Sequence, residues 1–468
     1  VRVLSAVDGA YRERLAAYLR MKIFLLDTGS NLLDFAMRSM DAGHDVLWYD
    51  QPRKKDGSVR MAGRGIVPKL LDYDQIRKKW LGWANLIVCA DNTHYLDMLE
   101  PFRRIGFPIF APSKEAAELE LDRAAGQKAF ADCGIEIIPS KTFHDYDAAI
   151  AYVKKEGCAM VSKPSGDADK VMSYVSRSAA DLVYMLERWK DNPKCVKDTK
   201  EHGFIIQEKK EGCEMAVGGW FGPGGWSKWI YQNFEQKKLM NGDLGVNTGE
   251  QGTLSMYVSE CKLFDTMLKP LTPVLERMEY VGYIDVNTII DDKGQPWPLE
   301  LTMRPPWPGF HNQMATHEGD PAQWMLDCLN GKDTLQVKEN QACISIVLAL
   351  PDYPYSHFTN KEVSGIPIYY AVDREHVHLS EVMLGEAPVQ VGDKVATMPC
   401  YVSAGDYLLV CTGTGDTITG ARKSAYSAIR KIQVPGDAFY RTDIGATQRL
   451  RDGIPKIQKH GFARGFRF

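Results

Sequence analysis

The chain has 468 residues, long enough for roughly three domains. Apolar residues make up 44% and charged residues 25%, a balance that supports a packed core and excludes a disordered or fibrous chain. The net charge of −3 gives no global field to attract nucleic acid or a membrane surface.

No apolar run approaches the roughly 20 residues of a membrane span. The ten cysteines are scattered, with no C-x-x-C pair and no Cys/His zinc-finger spacing, so they read as reduced thiols of a cytoplasmic protein. Residues 1–20 precede Met21. They lack the apolar core of a secretory signal and the acid-poor character of a transit peptide, and read as an extension or upstream reading-frame sequence.

Lys22–Leu26 is a short apolar run followed by the turn Asp27-Thr28-Gly29-Ser30. A helical pattern through Leu32, Leu33, Phe35, Ala36 and Met40 ends at Gly43, and Asp45–Tyr49 reads as a second strand. Strands at Asn85–Cys89 and Pro108–Phe110 flank a helix near Tyr95–Ile105. Residues 21–115 thus form a doubly wound, Rossmann-like α/β unit. Its first turn lacks G-x-G-x-x-G, which argues against a dinucleotide site.

Residues 116–139 read as a helix ending at Cys133-Gly134, then the apolar run Ile135–Ile138 and Pro139. Strands at Ala159–Lys163 and Phe204–Glu208 flank a helix-rich stretch. Met215–Phe221 and Trp226–Phe234 read as a hairpin around Gly222-Pro223-Gly224-Gly225. A helix near Phe264–Met278 leads to strands Tyr283–Ile290 and Trp297–Thr302, then a helix Asp320–Asn330 with Asp320 as N-cap and Gly331 beyond its end. From about 336 come short strands, Cys343–Ala349, Val395–Pro399 and Tyr407–Thr412, and a helix Thr419–Ile432. The basic, glycine-containing tail after Gly445 reads as loosely ordered at its end.

The densest chemistry lies in Glu235–Gly252, EQKKLMNGDLGVNTGEQG. Its glycines let backbone approach a ligand, and its polar groups suit anions and amines. It resembles the motif D-H-K-R-x-x-D-G-D-x-G-P-N-T-G-G-M-G of the phosphoribosylamine–glycine ligases. Lys237, Lys238 (for Arg), Gly242, Asp243, Gly245, Asn247, Thr248, Gly249 and Gly252 fall in register without a gap. Phe439-Tyr440-Arg441-Thr442-Asp443-Ile444-Gly445 resembles the family's F-Y-R-x-D-I-G, and Ala111-Pro112-Ser113 and Ile138-Pro139-Ser140 add to the match.

The resemblance implies an ATP-grasp fold, in which two lobes clamp ATP. Lys163 matches a family lysine that contacts the α- and β-phosphates. Arg123 stands where such proteins place another phosphate-binding cation, and Lys170 stands for a loop lysine in PSGDADK, a loop poorer in glycine than the family's. Ile205–Glu208 and Lys209 match the adenine-binding hinge; Glu214, in Glu211-Gly212-Cys213-Glu214, matches the ribose carboxylate. Glu300-Leu301-Thr302-Met303-Arg304 matches E-F-N-x-R, with Thr302 in place of Asn. Glu300 and Thr302 share a strand face and suit Mg²⁺ (or Mn²⁺), with Asp285 on the preceding strand as a further ligand.

Lys237, Asp243 and Arg304 are the expected catalytic residues. Gly29, Ser30, Lys238, Asn247, Thr248 and Gly249 are the expected substrate contacts. Two family turns are lost. G-G-R-E-H-A becomes Gly29-Ser30-Asn31-Leu32-Leu33-Asp34, and R-F-G-D-P-E becomes Arg304-Pro305-Pro306-Trp307-Pro308-Gly309. Gly415–Gly420 has P-loop glycine spacing, but Ala421-Arg422 replaces the Lys-Ser/Thr pair, so it is a decoy. His311 and His317 read as surface or substrate-loop residues.

The expected class is α/β: a Rossmann-like domain at 21–115, an ATP-grasp core of two α+β lobes at 116–335 with a mobile small lobe at about 140–205, a small β-rich domain at 336–446, and a basic tail at 447–468. The activity implied is ATP-dependent joining of glycine to 5-phosphoribosylamine through a glycyl phosphate, by a cytoplasmic monomer that binds neither nucleic acid nor membrane. Two rivals stay open. One is a divergent ligase with another amino acid or amine; the other is a non-catalytic ATP-binding protein.

Overall fold

Ile23 to Leu26 are wholly buried, the pattern of a strand covered on both faces. The strand Lys22–Asp27 pairs in parallel with Asp45–Asp50 and Leu86–Cys89, and the latter with Ile109–Phe110. The helices Leu33–Asp41 and Leu96–Arg104 make the crossovers, giving the expected Rossmann-like unit. The structure, a computed structural model, describes residues 20–50, 60–165, 173–351, 353–354, 363–370 and 374–468. Lys170 and residues 1–19 lie outside it.

The expected long helix from 116 is two helices, Lys114–Leu121 and Arg123–Asp132. Asp122 breaks them: its backbone is extended, and its carboxylate accepts from the Ala124 and Ala125 N–H groups. This is N-cap chemistry overriding helical periodicity, and it sets Arg123 at a helix start. The helix expected at Phe264–Met278 is similarly divided into Lys262–Met267 and Thr272–Arg277, where Pro270 and Pro273 withhold backbone donors. The helix after Asp320 is shorter than expected, Gln323–Leu329, but the Asp320 carboxylate does accept from Ala322 and Gln323 N–H at 2.9 Å.

A four-stranded antiparallel sheet, ordered Ser140–Phe143, Phe204–Glu208, Met160–Pro164 and Tyr174–Val175, carries three helices and forms the small lobe. The main sheet has eight strands. In order they are Pro296–Thr302, Gly282–Ile290, Cys213–Gly222, Gly225–Glu235, Gly252–Val258, Ala342–Ala349, Tyr407–Gly415 and Val377–Leu379. Strands from residues beyond 336 therefore extend the same sheet that carries Glu300.

The tail is not loose. Gln448–Gln458 is a helix capped by Thr447, and Leu450, Ile454, Ile457, Phe462 and Phe466 are buried in the main core. The ten cysteines are free thiols. Among the described residues no helix is long and apolar enough to cross a membrane.

Candidate active site

A cavity of about 530 Å³ opens between the Rossmann-like unit, the small lobe and the edge of the main sheet. Four pieces of chain make its polar wall. They are the first turn (Thr28, Asn31), the loop Asp91–His94, the 235–250 segment, and the strand pair bearing Asn287, Glu300 and Thr302. Arg123, Arg304 and Trp307 complete it.

Opposite charges interleave on one side. Glu300 Oε2 accepts from Arg123 Nη1 at 2.6 Å, and its other oxygen lies 3.6 Å from Lys237 Nζ. Lys237 also reaches Glu235 at 2.8 Å and Glu214 at 3.7 Å. Burial opposes ionisation of Glu300, but Arg123, Lys237 and Lys163 hold its carboxyl well below the ordinary range. Burial opposes the Lys237 charge too, yet Glu235, Glu300 and Glu214 keep its ammonium well above its ordinary value. Glu214 is lowered against its burial by Lys237 and Arg449. Arg449 donates to Glu214 at 2.9 Å and to the Glu235 carbonyl at 2.9 Å, from the tail helix that sequence reading left loose.

Lys163 faces the same cluster from the small lobe. Burial and the neighbouring Arg123 push its ammonium down to about 8. Raising the pH through 8 thus removes its charge, and a phosphate contact loses strength in that direction. ATP affinity is expected to fall as pH rises above 8. In Lys163→Ala it should be roughly 10- to 100-fold weaker, the equivalent of about 1.5–3 kcal/mol for a charged hydrogen bond, with that pH dependence gone. Titration calorimetry with ATP across pH 7 to 9.5 reads both, and an unchanged affinity in a folded variant removes Lys163 from the site.

Glu300 and Thr302 both line the cavity, as expected for strand neighbours two apart. Asp285 does not. It is fully buried opposite Thr302, against Tyr283, and burial followed by the Glu235 charge pushes its carboxyl well above the ordinary range. Asn287, two residues on and directly across from Glu300, is the one that reaches the cavity. The structure thus places Asn287, and not the expected ligand Asp285, on the cavity wall, with Glu235 adjoining it through the Asn287 Nδ2–Oε1 hydrogen bond of 3.2 Å. Asp285→Asn is expected to leave the divalent-metal requirement of turnover unchanged; a raised requirement would restore Asp285 to the site.

The 235–252 segment is a small hairpin, Lys238–Met240 with Leu244–Asn247. Asn247, Thr248 and Gly249 line the cavity, and Thr248 N and Oγ1 both donate to the Lys237 carbonyl at 2.8 Å. Asp243, expected to be catalytic, is absent from the cavity wall, and its carboxylate accepts from Arg441 at 3.0 Å. Lys238 likewise donates to the Gly245 carbonyl and is absent from the cavity wall. Arg304 does line the cavity, held by Glu120 at 3.2 Å.

Glu208 and Lys209 pair with Lys210 and Glu211 outside this wall. Gly29 and Ser30 form the turn behind it: Gly29 N–H donates to Asp27, and Ser30 donates to Asp50 at 2.8 Å, leaving Thr28 and Asn31 to face the cavity. His311 is not at the surface but 1% exposed, edge-on to Trp307 at 4.6 Å. His317 is half-buried against Trp324. Sequence reading did not pick out Asn287 and Glu235, which line the cavity, or Arg449, which donates to Glu214 and the Glu235 carbonyl.

Residues 343–447 match the family described as "Phosphoribosylglycinamide synthetase, C domain". The phosphoribosylamine–glycine ligase of Salmonella typhimurium is 26% identical over 401 residues, covering 81% of this chain and 86% of the enzyme. That of Haemophilus influenzae is 25% identical over 406 residues, with the same coverages. Among solved structures, the Thermotoga maritima phosphoribosylamine–glycine ligase superposes with a TM-score of 0.68 at 20% identity, covering 90% of this chain and 99% of its own. The biotin carboxylase domain of Hydrogenobacter thermophilus 2-oxoglutarate carboxylase gives 0.65 at 13%, covering 96% and 99%.

Proposed function

We propose that this chain, a divergent relative of the phosphoribosylamine–glycine ligases on an ATP-grasp fold, is an ATP-dependent carboxylate–amine ligase that joins glycine to 5-phosphoribosylamine. The observation that carries the reading is the interleaved cluster in which Arg123, Lys237 and Glu300 line a cavity between two lobes, with Glu214 paired to Lys237 and Lys163 beside Arg123 behind them. Such a cluster suits a polyphosphate: the cations meet its charge, and the carboxylates keep the cations placed beforehand.

In this reading Lys163 and Arg123 hold the phosphates, and Glu214 accepts from the ribose hydroxyls, steadied by Arg449. Glu300, Thr302 and Asn287 offer carboxylate, hydroxyl and amide oxygens, a hard donor set without sulfur or imidazole. That set fits a divalent cation, and Mg²⁺ is the ion we assign, supplying charge neutralisation along the phosphates when bound. Arg304 orients the incoming carboxylate, one oxygen of which attacks the γ-phosphorus as ADP leaves. The amine then displaces phosphate from the acyl phosphate to give the amide. Lys237, held charged by three carboxylates, stabilises the anionic groups through both steps. The chain supplies position and field, with no covalent enzyme intermediate.

One observation favours a ligase with a different amino acid or amine: Pro306 and Trp307 line the cavity beside Arg304 where the family carries R-F-G-D-P-E. ADP release across a panel of amino acids, with and without phosphoribosylamine, separates the two. Release that needs glycine and yields glycinamide ribonucleotide supports the first. Protein that binds Mg-ATP yet makes no such product at saturating glycine and phosphoribosylamine defeats it, and another productive carboxylate establishes the second.

A further inference from the structure

Trp307 lines the cavity on one side and packs edge-on against His311 on the other. There three donors meet from distant parts of the chain: Asp34 on the helix Leu33–Asp41, His311 on the helix Gly309–Thr316 and His378 on the strand Val377–Leu379. One carboxylate oxygen and two imidazole nitrogens all lie within 4.8 Å of one another, and the three residues are 3%, 1% and 0% exposed. A second observation is independent of that spacing. Neither ring nitrogen of His311 has a hydrogen-bond partner, although the ring is buried. Buried polar atoms left bare in this way are costly, and call for a ligand.

We propose that Asp34, His311 and His378 bind one divalent transition-metal ion of the zinc type, tying the Rossmann-like unit to the main sheet. Imidazole nitrogen at roughly 2.0–2.1 Å from zinc puts the centroids of two histidine rings on one tetrahedral ion roughly 5 Å apart. The His311 and His378 centroids are 5.0 Å apart. Asp34 Oδ2 lies 2.8 Å from His378 Nδ1, so the two atoms meet an ion placed at their edge after a small separation. His378 Nε2 lies 2.8 Å from Thr412 Oγ1, a contact that fixes the ring and leaves Nδ1 as the ligand atom. Two imidazoles with one carboxylate select zinc, cobalt or nickel over magnesium. The burial of all three ligands makes this a structural site, separate from the Glu300 cluster.

Arg38 is the competing cation. Its Nε donates to Asp34 Oδ2 at 2.7 Å, and its Nη2 lies 3.3 Å from His378 Nδ1. The same Nη2 already reaches the backbone carbonyls of Arg374 and Glu375 at 3.2 and 3.4 Å. An entering ion takes over the charge that Arg38 supplies and leaves the guanidinium on those carbonyls. Removing Arg38 should therefore tighten the site, which a merely structural Arg–Asp–His network would not do.

The test uses the full chain with Zn²⁺ and, as a visible reporter, Co²⁺. Elemental analysis after dialysis should find one ion per chain. Co²⁺ should show the absorption bands of nitrogen-ligated tetrahedral cobalt, and Zn²⁺ but not Mg²⁺ should raise the melting temperature. His311→Gln should weaken Zn²⁺ binding about 100-fold. Arg38→Gln should strengthen it roughly tenfold, by relieving like-charge repulsion. Wild-type protein with a featureless Co²⁺ spectrum and no thermal shift overturns the site, as does equal Zn²⁺ affinity in His311→Gln. Should His311→Gln fail to fold, the wild-type Co²⁺ spectrum and the sign of the Arg38→Gln effect decide alone.

Discussion

Glu300→Gln is expected to lower turnover by about 10²- to 10³-fold, the cost of removing one pre-placed charge from an active site, with the fold intact. The change preserves shape and removes only the charge, and that charge is complete at neutral pH because Arg123, Lys237 and Lys163 hold the carboxyl far below its ordinary range. Two losses follow. The strongest hard donor of the proposed metal set disappears, and Arg123 and Lys237 lose the shared anion that fixes them at 2.6 and 3.6 Å. The amide also turns one of its hydrogen-bond acceptors into a donor, facing the Arg123 guanidinium. Because three cations then face the cavity with less compensation, binding of metal-free ATP should be retained or tightened while ADP release collapses. Calorimetry and a coupled ADP assay on the same preparation read that split. Turnover within about tenfold of wild type would remove Glu300 from the chemistry, since a directly acting charge is worth more than that.

The parallel sheet was legible because its strands are short apolar runs closed by turn residues, as at Lys22–Leu26 before Asp27-Thr28-Gly29. Breaks inside helices were not, because a single capping side chain at Asp122, or a proline at 270 and 273, overrides the periodicity around it. At the candidate site, Lys237, Glu300, Asn247 and Thr248 were readable from motif spacing and line one cavity, with Lys163 close enough to feel the charges of Arg123 and Glu300. Asp285 is covered, and Asn287, two residues on, reaches the cavity. Alternation puts Asp285 and Asn287 on the same strand face, and only the tertiary depth of Tyr283 and Gly218 shows which of them is covered. Arg449 left a signal that went unused. Leu450, Ile454 and Ile457 recur at spacings of four and three behind the cap Thr447, which is the pattern of an amphipathic helix. Its net basic composition masked that pattern. His311 could not be placed from sequence, because its burial depends on a strand 67 positions away at His378.

Arg441→Met is expected to destabilise the protein by about 3–5 kcal/mol, the usual cost of deleting one partner from a buried ion pair. The two sequence motifs that stood out, Glu235–Gly252 and Phe439–Gly445, are one structure: the second clamps the first. Arg441 is 2% exposed and grips Asp443 with two parallel hydrogen bonds of 2.8 Å. It also donates to Asp243 at 3.0 Å and to the Lys238 carbonyl at 2.9 Å. Around it Asn241 exchanges hydrogen bonds with Thr442, Gly242 N–H donates to Asp443, and Gly445 N–H donates to Gln236. Methionine fills much of the volume but strips Asp443 of its two-point partner and Asp243 of its closest cation, leaving only the looser Arg449 contact at 3.8 Å, and frees the hairpin whose far end presents Asn247 and Thr248 to the cavity. Arg441→Lys should recover little, because an ammonium cannot serve the planar, two-point contact with Asp443 while reaching Asp243. Urea unfolding measures the first effect, and trypsin cleavage after Lys237 and Lys238 in native buffer reports the freed hairpin. Asp243→Asn, which keeps an acceptor for Arg441 while losing the charge, should fall between wild type and Arg441→Met in both assays. If Asp243→Asn instead stops acyl-phosphate formation with stability and trypsin resistance unchanged, then Asp243 acts on substrate and the clamp is not its role.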